Sequence, residues 1–188
     1  RFYTPAGRCI QKPYSSDYAY DIIERYAHGE MTDVDSIKID KSVEYHTVSG
    51  RKVYGGGGIV PDIFVPVDTT RATDFYIQCN RKAEQMRFAA AMFDRYRDSL
   101  SSIDDFSELQ EYIDGLGLDR KFLQFAAKDG IVPAEGEWEK SEPYMMPQLE
   151  ALVGRYSKLD DEAFYRFYLE IDDAIGVAVD SPSSVAAL

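Results

Sequence analysis

The spacing of the apolar residues changes once along this chain, and that change constrains the fold more than any other feature. Up to about Thr70 apolar residues come in short alternating runs broken by more than half of the chain's 13 glycines; beyond it they recur every three to four residues. Alternation at a period of two sends side chains to opposite faces of a strand, whereas a period near 3.6 gathers them on one stripe of a helix. A chain that runs through the two patterns in succession is α+β. The expected boundary lies near Thr70, with β-hairpins, an inserted helix and an edge strand in residues 1–70 and an all-helical domain in residues 71–188.

The first part reads as follows. Phe2-Tyr3-Thr4 and Cys9-Ile10-Gln11 flank Pro5-Ala6-Gly7-Arg8. Proline presets φ there and glycine permits a positive φ, so a tight hairpin is expected. Ser15 to Glu30 carries Tyr18, Ile22, Ile23 and Tyr26 at helical spacing, with Ser16 or Asp17 as N-cap and Gly29 as terminator. Val43, Tyr45 and Thr47 alternate with polar residues, Ser49-Gly50 offers a turn and Lys52-Val53-Tyr54 returns, which is a second hairpin. Gly55 to Gly58 then releases the chain into Ile59-Val60-Pro61-Asp62-Ile63-Phe64-Val65-Pro66, an apolar strand whose prolines suit an edge.

Five helices are expected beyond Thr70. Thr73 or Asp74 caps a long one whose stripe holds Phe75, Cys79, Met86, Ala89, Phe93, Tyr96 and Leu100. Ser107 to Leu116 forms the second. Asp119 caps the third, with Phe122, Leu123, Phe125 and Ala126 inward and Asp129-Gly130 closing it. Ala134 to Pro143 is charged and turn-rich and reads as a loop, after which Pro143 or Met146 opens a fourth helix through Leu149, Leu152, Val153 and Tyr156. Asp160 to Ala178 makes the fifth, its leading acids complementing the helix dipole, and Ser181 to Leu188 is expected to fray. Residues 71–188 are expected to fold without the rest.

Charge narrows the partners. The 188 residues carry 21 Lys+Arg against 33 Asp+Glu, a formal charge of −12, with no basic stripe, so nucleic acid and anionic membrane surfaces are poor candidates. No apolar run reaches the roughly 20 residues that span a bilayer. Cys9 and Cys79 fit no disulfide framework or zinc spacing. The start at Arg1-Phe2-Tyr3, with neither an initiator methionine nor a signal sequence, reads as a cut inside a longer protein.

Little in the chain assembles chemistry. A Ser-His-Asp or Cys-His nucleophile needs an imidazole, and only His28 and His46 exist, near a helix end and in a hairpin. No serine sits in a G-x-S-x-G elbow. Gly55 to Gly58 lacks the Gly-Lys-Ser/Thr and the following helix that a phosphate cradle requires, so it reads as close backbone packing or a strand entry. Asp33, Asp35 and Glu44 hold the first, third and twelfth places of a calcium loop, yet Ile37 and Lys38 stand at the fifth and sixth, where an oxygen donor and a glycine are needed. Phe164, Tyr165, Phe167 and Tyr168 read as bundle core, with a partner groove as the alternative. Asp104-Asp105, Asp160-Asp161 and Asp172-Asp173 are adjacent pairs that diverge by about 100° on a helix, which makes them solvated faces or caps rather than an acid/base pair. No catalytic, cofactor-binding or metal-binding residue is assigned.

The run Arg1-Phe2-Tyr3-Thr4-Pro5-Ala6-Gly7-Arg8-Cys9-Ile10-Gln11, followed by Gly58-Ile59-Val60-Pro61-Asp62-Ile63-Phe64-Val65-Pro66, resembles the C-terminal processing, or tail-specific, serine peptidases. In that family a strand reading Arg-Tyr-Tyr-Thr-Pro-Ser-Gly-Arg-x-Ile-Gln follows the catalytic lysine, and a Gly-Ile-x-Pro-Asp strand comes next. This chain departs from the first at Phe2 and Ala6. The interval from Lys12 to Tyr54 and the Tyr54-Gly55-Gly56-Gly57-Gly58 spelling are similar to the Bacteroidetes-type branch, and residues 71–188 resemble its helical tail.

The resemblance implies the C-terminal part of a peptidase core followed by a helical domain. It also implies that the nucleophilic serine, the lysine base and the PDZ domain precede Arg1, so the fragment alone is inactive. The related tricorn-type core places a catalytic glutamate where this chain has Gly55, so that role is absent too. Polypeptide substrates and a cell-envelope, periplasmic setting are implied for the parent enzyme, with no cofactor. The rival expectation is a non-catalytic interaction or oligomerisation module of an envelope protein. A homodimer, through the edge of Ile59–Val65 or by exchange of the Phe2–Gln11 hairpin, fits either.

Overall fold

The structure is a computed structural model and describes residues 2–11, 18–39, 41–55 and 58–181. It is mostly helical with a small two-stranded antiparallel sheet, an α+β composition. The chain divides into two compact units, one made mainly of the residues up to Asp68 and the other of Thr69–Val179.

In the N-terminal unit, turn chemistry sets the local structure. Tyr3 and Cys9 form a single antiparallel bridge. The Thr4 amide donates to the Arg8 carbonyl at 2.9 Å and the Gly7 amide to the Thr4 carbonyl at 2.9 Å. Gly7 takes the positive φ that the turn demands, +78°. The expected first hairpin is thus a tight turn closed by one bridge. Helix α1 spans Asp21–Ala27 behind a 3-10 turn at Tyr18–Tyr20. It is shorter than the expected Ser15–Glu30, and the expected caps Ser16 and Asp17 lie outside the described residues. Ile22, Ile23 and Tyr26 stay exposed, and a helix that buries no face has little to lengthen it. Gly29 ends it at φ +81°. Strands β1 (Glu44–His46) and β2 (Lys52–Tyr54) pair antiparallel as expected, Tyr45 opposite Val53, around a turn in which the Gly50 amide reaches the Thr47 carbonyl.

The expected strand at Ile59–Pro66 is not formed: the segment is irregular and belongs to no ladder. Pro61 and Pro66 remove two donors. Asp62 is drawn into an ion pair with Arg51, and Val67 bonds back to the Met31 carbonyl at 2.9 Å. A dimer through a strand edge therefore has no formed edge here to rest on.

The C-terminal unit is built from α2 (Asp74–Arg81), α3 (Glu84–Ser102), α4 (Phe106–Gly115), α5 (Leu118–Lys128), α6 (Glu137–Gly154), α7 (Asp161–Tyr168) and α8 (Asp173–Asp180). Helix α6 is the hub and packs against α2, α3, α4, α5 and α7. Its Met145, Leu149 and Val153 are fully buried with Phe75, Phe122 and Phe167. Edge-on ring contacts tie Phe122 to Phe75 and Phe88, with centroids 6.4 and 5.3 Å apart. Gly154 lets α6 and α7 approach closely, since a Cβ there would sit 3.2 Å from the Phe167 ring.

Four sequence expectations are corrected in this unit. The long helix through Phe75 and Leu100 is two helices, α2 and α3, because Ala83 adopts the left-handed region at φ +53° and breaks the ladder. The stripe restarts after the break, so Phe88, Ala89 and Met92 point inward while Met86 is 64% exposed. The expected loop at Ala134–Pro143 is largely the first two turns of α6. Glu137 holds them, accepting from the Ala134 amide at 2.8 Å and the Phe75 amide at 3.4 Å, and Trp138 packs edge-on against Phe75. Pro143 and Pro147 consequently lie inside the helix rather than at its start.

Asp119 does not cap α5; Gly117 holds that position at φ +60°. The single helix expected from Asp160 to Ala178 is interrupted by a 3-10 turn at Leu169–Ile171. Asp172 then caps α8 by accepting from the Ala174 and Ile175 amides at 3.0 and 3.1 Å. Helix α7 buries Ala163 and Phe167 whereas α8 buries nothing, so no common stripe holds the two in line. Thr73 and Asp105 cap α2 and α4, accepting from the Tyr76 and Glu108 amides. The fraying expected for Ser181–Leu188 falls, from residue 182 on, outside the described residues.

Candidate functional site

The charged face of α1 lines a cleft of about 440 Å³ within the N-terminal unit. Asp21, Glu24, Arg25 and His28 are presented on one side by their i, i+3/i+4, i+7 spacing. Glu30, Lys38, Tyr54, Gly55 and the segment Gly58–Pro61 complete the lining, with Ile37 and Ile39. The turn at Gly29 brings Glu30 back to the helix, where its Oε2 accepts from Arg25 Nε at 2.9 Å. Arg8 reaches the Gly58 carbonyl at 3.1 Å and ties the first turn to the glycine run.

The described residues of this cleft do not pair a nucleophile with a base. His28 is the C-terminal cap of α1, and His46 lies 3.4 Å from Glu44 on the same strand. Among the described residues neither imidazole is hydrogen-bonded to a hydroxyl or thiol. Lys52 Nζ sits 2.7 Å from Glu44 Oε2, and that hydrogen bond and charge hold its pKa above the ordinary lysine value. A lysine acting as general base must instead be neutral.

The sequence-level candidates separate. Asp33 serves as the cap of a 3-10 turn, accepting from the Asp35 amide at 3.0 Å, while Glu44 is occupied by Lys52 across the hairpin. Among the described residues no group of three His, Cys, Asp or Glu side chains is placed to hold a metal ion. Gly55 has a steric reason: a Cβ there would lie 2.7 Å from the Tyr45 ring. A glutamate at this position would displace that ring. Gly58 takes φ +104°, and Gly56 and Gly57 lie outside the described residues.

Perturbed ionisable groups concentrate in the C-terminal unit, where the sequence reading assigned nothing. Burial, with Asp114 and Glu170 nearby, pushes the Glu150 carboxyl up to about 7. Burial likewise pushes the Cys79 thiol up to about 12, which leaves it unreactive. Tyr144, packed edge-on against Tyr76 with ring centroids 5.5 Å apart, is raised to about 12, chiefly by burial. Glu84 and Ser141 are wholly buried. The signal that marks Glu84 in the sequence is its place four residues before Phe88, on the apolar stripe itself.

No membrane-crossing helix exists among the described residues. No family model matches the chain, and neither the curated proteins nor the solved structures contain a match.

Proposed function

We propose that this chain is the C-terminal portion of a Ser-Lys endopeptidase of the tail-specific, C-terminal processing type, and that it contains neither nucleophile nor base itself. The observation that carries the reading is the exposure of the N-terminal unit. None of the described residues before Phe75 is buried, and Phe2, Tyr20, Ile23 and Ile59 are each more than 60% exposed. A unit of this size gains its stability from a core, and one without a core needs cover from elsewhere. An upstream peptidase sheet would supply it. The resemblance of the Phe2–Gln11 and Gly58–Pro66 segments to strands of such a core supports the same reading.

In an enzyme of this kind the serine attacks the peptide carbonyl while a lysine held neutral by burial takes its proton; acyl transfer to the serine releases one peptide, and water releases the other. The role of this chain is to complete the scaffold. The setting that the family resemblance implies is the cell envelope, with unfolded polypeptide tails as substrates. The test is the coding sequence upstream of Arg1 and the longer protein it specifies. That protein should cleave unfolded polypeptide and lose the activity when the upstream serine is replaced by alanine, while the present chain shows no turnover. An upstream sequence without the Ser-Lys pair would overturn the reading. So would turnover by this chain that survives repurification and vanishes on mutating one of its own residues.

A further inference from the structure

Glu84 opens α3 immediately after the left-handed Ala83, and its side chain is wholly buried. Its Oε1 accepts from Arg87 Nη1 at 2.7 Å, and the same nitrogen donates to Asp129 Oδ2 at 2.5 Å. Its other oxygen, Oε2, has no donor facing it among the described residues. Asp129, just past the end of α5, is nevertheless within hydrogen-bonding reach of the Glu84 carboxyl. Two carboxylates have no proton to share, so drawn as an anion Glu84 leaves a buried oxygen unsatisfied beside a like charge. Drawn as an acid, it has a donor where Asp129 has an acceptor.

The geometry points to Glu84 as a protonated carboxylic acid that donates its Oε2 hydrogen to Asp129, forming with Arg87 a proton-dependent clasp between the α2–α3 break and the end of α5. The surrounding charges agree. Asp129 is then the single carboxylate facing Arg87 and Lys82, whose Nζ donates to the Asp129 carbonyl at 3.0 Å. Cys79, facing from α2, stays a neutral thiol, its titration held up first by burial and then by Glu84. Burial raises the Glu84 carboxyl above the ordinary glutamate value of 4.5, and its hydrogen bond with Arg87 holds Asp129 below the ordinary 3.8. The two shifts have opposite signs. The Glu84 contribution is complete below the ordinary glutamate value and is lost as pH rises through the raised one. The Asp129 contribution is present above the ordinary aspartate value and is lost as pH falls through the lowered one. The clasp is therefore closed between those limits and opens on the alkaline side, where the second negative charge appears in a buried site. This device stands apart from the proposed peptidase origin.

The test uses the whole chain. The carbon-13 resonance of the Glu84 carboxyl, assigned by comparison with Glu84→Gln, is followed through a pH series, and thermal midpoints of the two proteins are recorded over the same range. Glutamine offers an amide donor to Asp129 and an oxygen to Arg87 at every pH. The expected results are a Glu84 midpoint shifted above 4.5 and a thermal midpoint difference that grows in favour of the variant as pH rises. A Glu84 midpoint at or below that value, or a difference that stays constant across the series, would overturn the clasp. Should the variant fail to fold, assignment through the neighbouring backbone lets the wild-type titration decide alone.

Discussion

The two units of this chain obey the same local rules and differ in what those rules lead to. In the N-terminal unit, Gly7, Gly29 and Gly50 turn the backbone at positive φ, Asp33 caps a 3-10 turn and Glu44 reaches Lys52 across a hairpin. No described residue before Phe75 becomes buried as a result. In the C-terminal unit, caps at Thr73, Asp105 and Asp172 deliver helices whose apolar stripes meet around α6, and Phe75, Phe122 and Phe167 disappear from solvent. Turn and cap chemistry fix local conformation at roughly 1 kcal/mol apiece, but a buried large apolar side chain contributes about 1.5–3 kcal/mol, and among the described residues only those of the second unit collect that term. The difference teaches that well-formed local elements do not by themselves indicate a self-sufficient unit.

The strongest way to break this contrast is to remove a ring from the buried cluster. Phe122 is fully buried between Phe75, Phe88 and Trp138. Phe122→Ala should cost about 3–5 kcal/mol, from lost transfer energy together with the cavity left behind. Urea unfolding followed by circular dichroism measures it. A cost under about 1 kcal/mol would mean that the cluster is loosely packed and the contrast overstated.

A smaller effect, which also depends on pH, is expected at Glu150. Its carboxyl is raised from 4.5 to about 7 by burial, with Asp114 and Glu170 adding repulsion. The contribution of this group is complete below the unfolded value and falls away as pH climbs towards about 7, where the folded state must also ionise. The loss should be on the order of 2–3 kcal/mol, since each pKa unit corresponds to about 1.4 kcal/mol. Glu150→Gln should flatten that part of the stability profile. Identical slopes for wild type and variant between pH 4.5 and 7 would show that Glu150 is solvated in the folded chain.

The elements most legible in the sequence were those decided within a few residues. Thr73, Gly29, the Ser49-Gly50 turn and the closing Asp129-Gly130 pair all act locally, and Gly130 takes φ +76° where the end of α5 requires it. What sequence periodicity missed was decided by distant contacts. Continuity of the stripe through Cys79 and Ala89 concealed the break at Ala83, which Asn80–Gln85 and Lys82–Asp129 hydrogen bonds hold in place. The turn-rich spelling of Ala134–Pro143 concealed a helix that Glu137 and Trp138 anchor to α2. Ile59–Pro66 has the composition of a strand, but a strand also needs a neighbour, and the ladder of β1 and β2 does not extend to it. The perturbed acids were the least legible, because Glu84 and Glu150 differ from ordinary helix-surface acids only in what covers them.

The smallest expected effect bears most directly on the exposed unit. Ile23 lies on α1 with 62% of its surface exposed. Ile23→Lys places a charge where solvent already reaches, so in this chain it should change stability by no more than about 0.5 kcal/mol. In the longer enzyme proposed above, an upstream sheet covering this face of α1 would turn the same substitution into an unpaired buried charge, at a cost of several kcal/mol. Denaturant titrations of both proteins, each with and without the substitution, separate the cases. A neutral result in the chain and a large one in the longer protein is the expected pattern. A cost above about 1 kcal/mol in the chain itself would show that α1 packs a core of its own, and neutrality in both would place the covering sheet on another face of the unit.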